Sequence, residues 1–145
     1  MGKHPTVERL AQSIQEKKQC RIYVDGLSGS STALIFASLN QRQALPHTLY
    51  ILDDEEEAGY FYHDLTQIMT GKNIMFFPSS YRQAIRNAQK DPANEVLRTD
   101  VLVALTNQND NTTEGEILNI VTYPEAIKEL VISQNTLKSN TQWQI

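Results

Sequence analysis

The chain has 145 residues, of which 40% are apolar and 21% charged, and its formal net charge is −4. These values are typical of one globular domain, for which about 100–200 residues is usual, and the acidic balance gives no overall field that attracts nucleic acid. No apolar run approaches the roughly 20 residues of a membrane-spanning helix. The first ten residues also lack the apolar centre of a signal peptide.

The chain alternates between segments with helical periodicity and short β-rich segments. In chain order they are a helix at 7–14, a strand at 20–24, a helix at 31–43, a strand at 47–52, a helix at 58–69, a strand at 73–78, a helix at 93–106, a strand at 116–121 and a helix at 124–131. Strands that alternate with helices in this way predict βαβ units and a mostly parallel sheet. The predicted fold class is therefore α/β.

Cysteine and histidine usage gives no sign of a disulfide or a metal site. Cys20 is the only cysteine, so no internal disulfide can form, and a reducing, cytoplasmic environment is expected. His4, His47 and His63 are scattered, with no cysteine or carboxylate at ligand spacing. We predict no metal ligand and no membrane attachment.

The stretch VDGLSGSSTALIFASL, residues 24–39, has the order of a phosphate-binding P-loop: strand, glycine turn, helix. A working P-loop reads GxxxxGK followed by Ser or Thr; the lysine reaches the β- and γ-phosphates and the hydroxyl holds Mg²⁺. With Gly26 as the first glycine, these last three positions fall on Ser31, Thr32 and Ala33. Losing the lysine and the metal ligand costs about 3–6 kcal/mol, on the order of a hundred- to ten-thousand-fold in affinity.

Three interpretations of this loop remain open. It is a plain strand-to-helix turn, with Ser30 or Ser31 as the helix N-cap, which spacing alone favours. It is a vestigial phosphate loop formed by Gly26, Leu27, Ser28, Gly29, Ser30, Ser31, Thr32 and Ala33. Or it is a live site that takes its lysine from elsewhere, such as Lys72 or Lys90.

An acidic run follows the second predicted strand, in the sequence TLYILDDEEE at 48–57. It imitates a Walker B strand, whose acid holds Mg²⁺, and also the ribose-binding acid of a dinucleotide fold. The loop retains no residue to share a metal, and the GxGxxG pattern is missing. We therefore expect Asp53 or Asp54 to cap the next helix and the glutamates to favour its positive N-terminal dipole.

A small basic group is a candidate for contact with nucleic acid. Arg82, Arg86 and Lys90 would share one face if residues 81–90 were helical; a solvated face is the favoured interpretation. No Ser/His/Asp or Cys/His constellation is visible, and we predict no catalytic residue.

Four segments in this order resemble a known family. They are GLSGSSTALIFASL, TLYILDDEEEAGYFYHDL, NIMFFP and ILNIVTYPEAIKEL. Together they resemble the N-terminal region of bacterial transcription-repair coupling factors (Mfd), which is similar to the excision-repair protein UvrB. In that family the loop has a degenerate Gly-x-Ser-Gly-Ser-Ser core, like residues 26–31 here, whereas UvrB has a complete P-loop. Tyr123 stands between Thr122 and Pro124, where the family has Thr-Pro.

The resemblance spans roughly residues 6–131 and implies a fold. That fold is a three-layer, parallel-sheet subdomain of the P-loop NTPase (RecA or helicase) kind, like domain 1a of UvrB, over residues 1–131. Residues 132–145 would be a tail that enters a following domain not present in this chain. The segment SSYRQAIRNAQKDPANE at 79–95 is too short and too poor in aromatic residues to be the DNA-gripping hairpin of UvrB.

The resemblance also implies a role. The whole family protein displaces stalled RNA polymerase and recruits excision repair through UvrA. Its ATP and Mg²⁺ serve a C-terminal motor, an ATP-dependent DNA translocase that this chain lacks. UvrA is contacted mainly by a neighbouring domain, and RNA polymerase and DNA by other domains. The chain itself is then expected to be a non-catalytic, cofactor-free scaffold and regulatory subdomain that contacts other domains of the same protein. The alternative is an active nucleotide-dependent P-loop enzyme or helicase half.

Overall fold

The computed structural model describes residues 4–16, 21–42, 45–81, 90–108, 116–129 and 131. Within these ranges the helices are α1 (Pro5–Glu16), α2 (Ser31–Gln41), α3 (Glu55–Ile68), α4 (Pro92–Gln108) and α5 (Pro124–Lys128). The strands are β1 (Thr48–Ile51), β2 (Asn73–Phe76) and β3 (Leu118–Thr122). The chain thus has the predicted α/β fold, with most predicted elements present and their ends shifted by a few residues. None of the described helices has the length and apolar character of a membrane span.

The strands form one parallel sheet in the order β1-β3-β2, so the last strand lies in the centre. All five residues of β3 are buried. Helix α3 connects β1 to β2, and α4 connects β2 back to β3. Because crossovers between parallel strands are right-handed, this reversal of direction requires the two helices to lie on opposite faces.

The packing of side chains agrees with that requirement. On one face, Tyr50 and Val121 of the sheet pack in a single cluster with Phe61 of α3 and with Ala37 of α2. On the other face, the alternate residues of β3 pack against Val101 of α4. Helix α1 lies further out and packs on α2. The result is three layers, in which α2, α3 and α5 contribute to the cluster on one face of the sheet and α4 packs on the other.

The buried hydroxyl of Tyr50 helps to fix the register of β1 against β3. It accepts a hydrogen bond from the Asn40 side chain (3.3 Å) and donates to Oδ1 of Asn119 (3.4 Å). Its ring meets those of Phe36 and Phe61, each with a centroid separation of 5.1 Å. A slip by one residue would turn the ring to the other face and leave the buried amides without this partner.

The predicted strand at 20–24 is wrong for its described part, residues 21–24. No strand is assigned there, and Ile22, Tyr23 and Val24 are exposed by 43%, 89% and 41%. A short apolar run does not by itself determine a strand, because the strand state also needs a partner edge to bond its N–H and C=O groups. Cys20, Arg82, Arg86 and the tail 132–145 lie outside the described residues, so the predictions made for them stay predictions.

A buried polar cluster joins the loop after β2 to α4 and α5. Nη1 of Arg98 donates to the carbonyl oxygens of Pro78 (2.8 Å) and Ala126 (2.9 Å), and it lies 3.7 Å from Oε2 of Glu129. The Glu129 carboxylate also accepts hydrogen bonds from the Ser79 hydroxyl and from the Ser80 N–H. These bonds fix the chain at the carboxyl edge of the sheet.

The ionised form of Glu129 is stabilised by these partners. Burial raises the pKa of Glu129, but the hydrogen bonds from Ser79 and Ser80 and the charge of Arg98 outweigh burial and hold the pKa below its ordinary value of 4.5. A carboxyl group whose pKa is lowered in the folded state stabilises the fold above its unfolded-state pKa. That contribution is lost as the pH falls through the folded-state pKa.

We therefore predict that Glu129→Gln lowers the free energy of unfolding by about 1–3 kcal/mol at pH 7, because Arg98 loses its charged partner. The difference from the wild-type chain should shrink as the pH falls through the lowered folded-state pKa of Glu129, because the wild-type carboxyl group then becomes neutral as well. Urea unfolding at pH 7 and at a series of decreasing acidic pH values measures this difference. Glu125→Gln, at an exposed position of α5, is the control and should have little effect. A destabilisation by Glu129→Gln that stays equal over the whole series would contradict this account.

Candidate functional site

The glycine-serine loop leads directly into α2, as its sequence predicts. Gly26 and Gly29 have φ of +80° and +54°, a left-handed conformation that residues with a Cβ adopt only at a cost. No atom lies within 4 Å of the position where a Cβ would stand on either glycine. The two glycines are therefore required by the turn of the backbone and not by the close approach of another group.

The loop is closed by its own side chains. Oγ of Ser31 accepts a hydrogen bond from the Ser28 N–H (2.9 Å) and donates one to the Ser28 carbonyl oxygen (2.6 Å). The Gly26 N–H donates to Oδ1 of Asp25 at 2.7 Å. A P-loop holds phosphate through free backbone N–H groups of this kind. At Gly26 and Ser28 these donors are already engaged.

The start of α2 is attached to α3. Ser30 occupies the N-cap position, but its side chain makes no capping bond; it donates instead to Oδ2 of Asp64 at 2.8 Å. Further along α2, Phe36 meets Phe61, with 6.5 Å between ring centroids. The contacts thus run in opposite directions along the two helices.

This attachment is to the C-terminal half of α3. Helix α3 begins just after β1 and ends just before β2, so it runs from the carboxyl edge towards the amino edge. At 1.5 Å per residue, Asp64 lies about 13 Å along α3 from Glu55. The loop is therefore bonded to α3 well beyond the first turn, which follows the carboxyl edge of the sheet, where ligands of open parallel sheets bind.

The charges beside the loop are unfavourable to an anion. The carboxylates of Asp25 and Asp64 are hydrogen-bonded to loop atoms, and no described lysine or arginine forms an ion pair with either acid. A phosphate here would approach two carboxylates, neither of which is neutralised by a described ion pair. In the described ranges, no three His, Cys, Asp or Glu side chains are grouped as metal ligands.

The two lysines of the live-site interpretation occupy different edges of the sheet. Nζ of Lys90 lies 3.2 Å from Oε1 of Glu95, and Lys90 forms a backbone bridge with Tyr81, beyond the carboxyl end of β2. The hydrogen bond with Glu95 raises the pKa of Lys90. Lys72 is exposed and immediately precedes β2, at the amino edge. Of the two, Lys72 is at the edge where α3, the helix bonded to the loop, ends.

The acidic run after β1 starts a helix, as predicted. Asp54 has an extended backbone and accepts a hydrogen bond from the Glu57 N–H at 2.9 Å. The three glutamates that follow it form the first turn of α3, where negative charge favours the helix dipole. The capping role of Asp54 is confirmed.

A cavity of about 760 Å³ lies between α1, the segment 22–27 and α2. Its lining combines apolar side chains such as Leu10, Val24 and Ile35 with the polar side chains of Arg9 and Asp25. The sequence did not reveal it, because the apolar pattern at 20–24 predicted a strand inside the sheet. The amphipathic pattern of α1 was the one signal that pointed to an apolar wall here.

No model of a known protein family, no curated protein and no solved structure matches this chain. The resemblance to transcription-repair coupling factors therefore rests on the four sequence segments alone.

Proposed function

We propose that this chain is a non-catalytic scaffold and regulatory subdomain of a transcription-repair coupling factor. In this proposal it is a UvrB-like subdomain of the P-loop NTPase kind that works in the cytoplasm, and residues 26–33 are a vestigial phosphate loop that does not hydrolyse ATP. It contacts the other domains of the same protein. Those domains would bind UvrA, RNA polymerase and DNA.

The closure of the loop by its own side chains is the observation that supports the non-catalytic part of the proposal. A nucleotide would have to displace Ser31 from the Ser28 N–H, at about 0.5–1.5 kcal/mol per hydrogen bond, and would then face Asp25 and Asp64. Neither the P-loop lysine nor the magnesium-binding hydroxyl is present to offset that cost. The loop does not support the P-loop NTPase-like part of the proposal, because no strand precedes it in the described residues. That part is supported by the parallel sheet and by the resemblance of the four segments.

The alternative function, an active P-loop enzyme with a lysine from elsewhere, depends on Lys72. Lys90 is paired with Glu95 beyond the carboxyl end of β2, while Lys72 is exposed, has no described ion pair and lies at the edge where α3 ends. This single observation keeps the alternative worth testing.

Calorimetric titration with Mg-ATP separates the two functions. We predict no saturable binding below about 1 mM, because the missing lysine and metal ligand together account for a hundred- to ten-thousand-fold loss. Sub-micromolar binding, or hydrolysis above a protein-free blank, would overturn the proposal. If such binding were lost in Lys72→Ala but kept in Lys128→Ala, an exposed lysine on α5, the alternative would take its place.

The reading frame after codon 145 tests the family part of the proposal. We predict a long continuation that contains an intact GKT or GKS loop and a DExx box, because a coupling factor needs a working motor. A frame that continues without either motif would contradict the assignment and would leave the loop without a family explanation.

A further inference from the structure

The strand β1 has one free edge, and its side chains leave an apolar surface open. Within the described residues, the backbone of β1 is hydrogen-bonded only to β3. Leu49 and Ile51 are exposed by 56% and 57%, whereas Tyr50 between them is exposed by 5%. We term the free edge together with Leu49 and Ile51 the β1 surface.

The exposed side chains lie on the face of the sheet that α4 covers only in part. Leu49 is paired with Ile120, and Ile120 packs in one cluster with Val101 of α4 and Met75 of β2. The helix therefore protects β3 and β2 but leaves β1 open. Parallel sheets are normally covered on both faces, so this part of the sheet is incomplete by itself.

Nothing in the sequence of β1 protects its edge from pairing. Natural edge strands are commonly blunted by lysine, proline or a bulge. Thr48–Ile51 has the sequence TLYI, which contains none of these residues, and its pairing with β3 is regular over four positions. Such an edge is a template for another strand.

The charge beside this edge indicates which strand it fits. Five consecutive acids, residues 53–57, follow at the carboxyl end of β1. Asp53 and Glu56 are exposed and have no described ion pair. A strand with a basic end would gain attraction there, and an acidic one would be repelled.

We propose that the β1 surface binds an extended protein segment that adds a strand to the sheet, with apolar side chains beside Leu49 and Ile51 and a lysine or arginine beside the acidic run. This names a partner class for the scaffold and regulatory subdomain proposed above and rests on that role. Its test uses no nucleotide, so failure here and failure of the non-catalytic assignment are distinguishable.

The probe is a synthetic peptide, acetyl-KKVTVTVKK-amide, titrated into the isotope-labelled full chain at low ionic strength. Its lysines at both ends make the test independent of strand direction. We predict saturable shifts of the Leu49, Tyr50 and Ile51 amide signals, with a dissociation constant of about 100 μM and weakening by added salt. A peptide with glutamate in place of lysine should bind at least about tenfold more weakly.

Variants on both sides of the contact keep the test sharp. Ile51→Lys should reduce binding of the lysine peptide by about tenfold or more, because it places a charge on the edge. Val96→Lys, on α4 at a position exposed by 60%, is the matched control and should not. N-methylation of alternate peptide nitrogens removes main-chain donors without any risk to the fold, and should abolish binding.

Three results would overturn the proposal. They are no saturable binding of the lysine peptide, equal binding of the glutamate peptide, and binding unchanged by Ile51→Lys.

Sedimentation of the chain alone tests whether a second copy of the chain is the partner. Dimerisation that Ile51→Lys abolishes would show that a second copy occupies the β1 surface, and the basic partner would be rejected.

Discussion

The burial of β3 on both faces is the constraint on which the rest of this structure depends. Every residue of this strand is buried, including Asn119 and Thr122, so helices must cover the sheet from both sides. Burial of the two polar side chains is tolerated because each forms a hydrogen bond. Asn119 accepts one from the Tyr50 hydroxyl, and Thr122 donates one to the Phe77 carbonyl oxygen. The opposite placement of α3 and α4 follows from this central position and from right-handed crossovers.

The helices cover the sheet unevenly, so that one part of the molecule is well packed and another leaves apolar side chains exposed. The face with α2 and α3 is filled by aromatic rings in edge-to-face and tilted contact, and Arg98 and Glu129 fix the chain at the carboxyl edge. Strand β1 and the segment 21–24 instead leave large apolar side chains exposed. Exposed apolar surface of this kind is a candidate site of contact with another protein segment.

Periodicity and capping rules predicted much of the fold, for identifiable reasons. The 3.6-residue repeat of α3 and the β-rich composition of β3 are local signals, and Asp54 caps α3 through an interaction that spans only three residues. The segment 20–24 failed because a strand is decided by a partner edge that the segment itself does not encode. The glycine turn that leads into α2 was predicted, but the attachment of the loop to Asp64 was not, since that contact joins residues 34 positions apart.

The chemistry of the loop shows the same division between local and distant causes. The missing lysine could be read directly from Thr32, because the motif has fixed spacing. The competing acid Asp64 could not be identified, because it approaches the loop only after α2 and α3 have packed together. The sequence therefore predicts a weakened phosphate site. The structure adds two features that oppose phosphate binding: the bonded Ser28 N–H and the carboxylate of Asp64 beside the loop.

Hydrogen exchange at the Ser28 amide tests the central claim, that the loop is closed by its own side chains. The amide should exchange at least about tenfold more slowly in the wild-type chain than in Ser31→Ala, and millimolar inorganic phosphate should leave the wild-type rate unchanged. A Ser28 amide that exchanges freely in the wild-type chain, and becomes protected only when phosphate is added, would contradict the account and identify a working anion site.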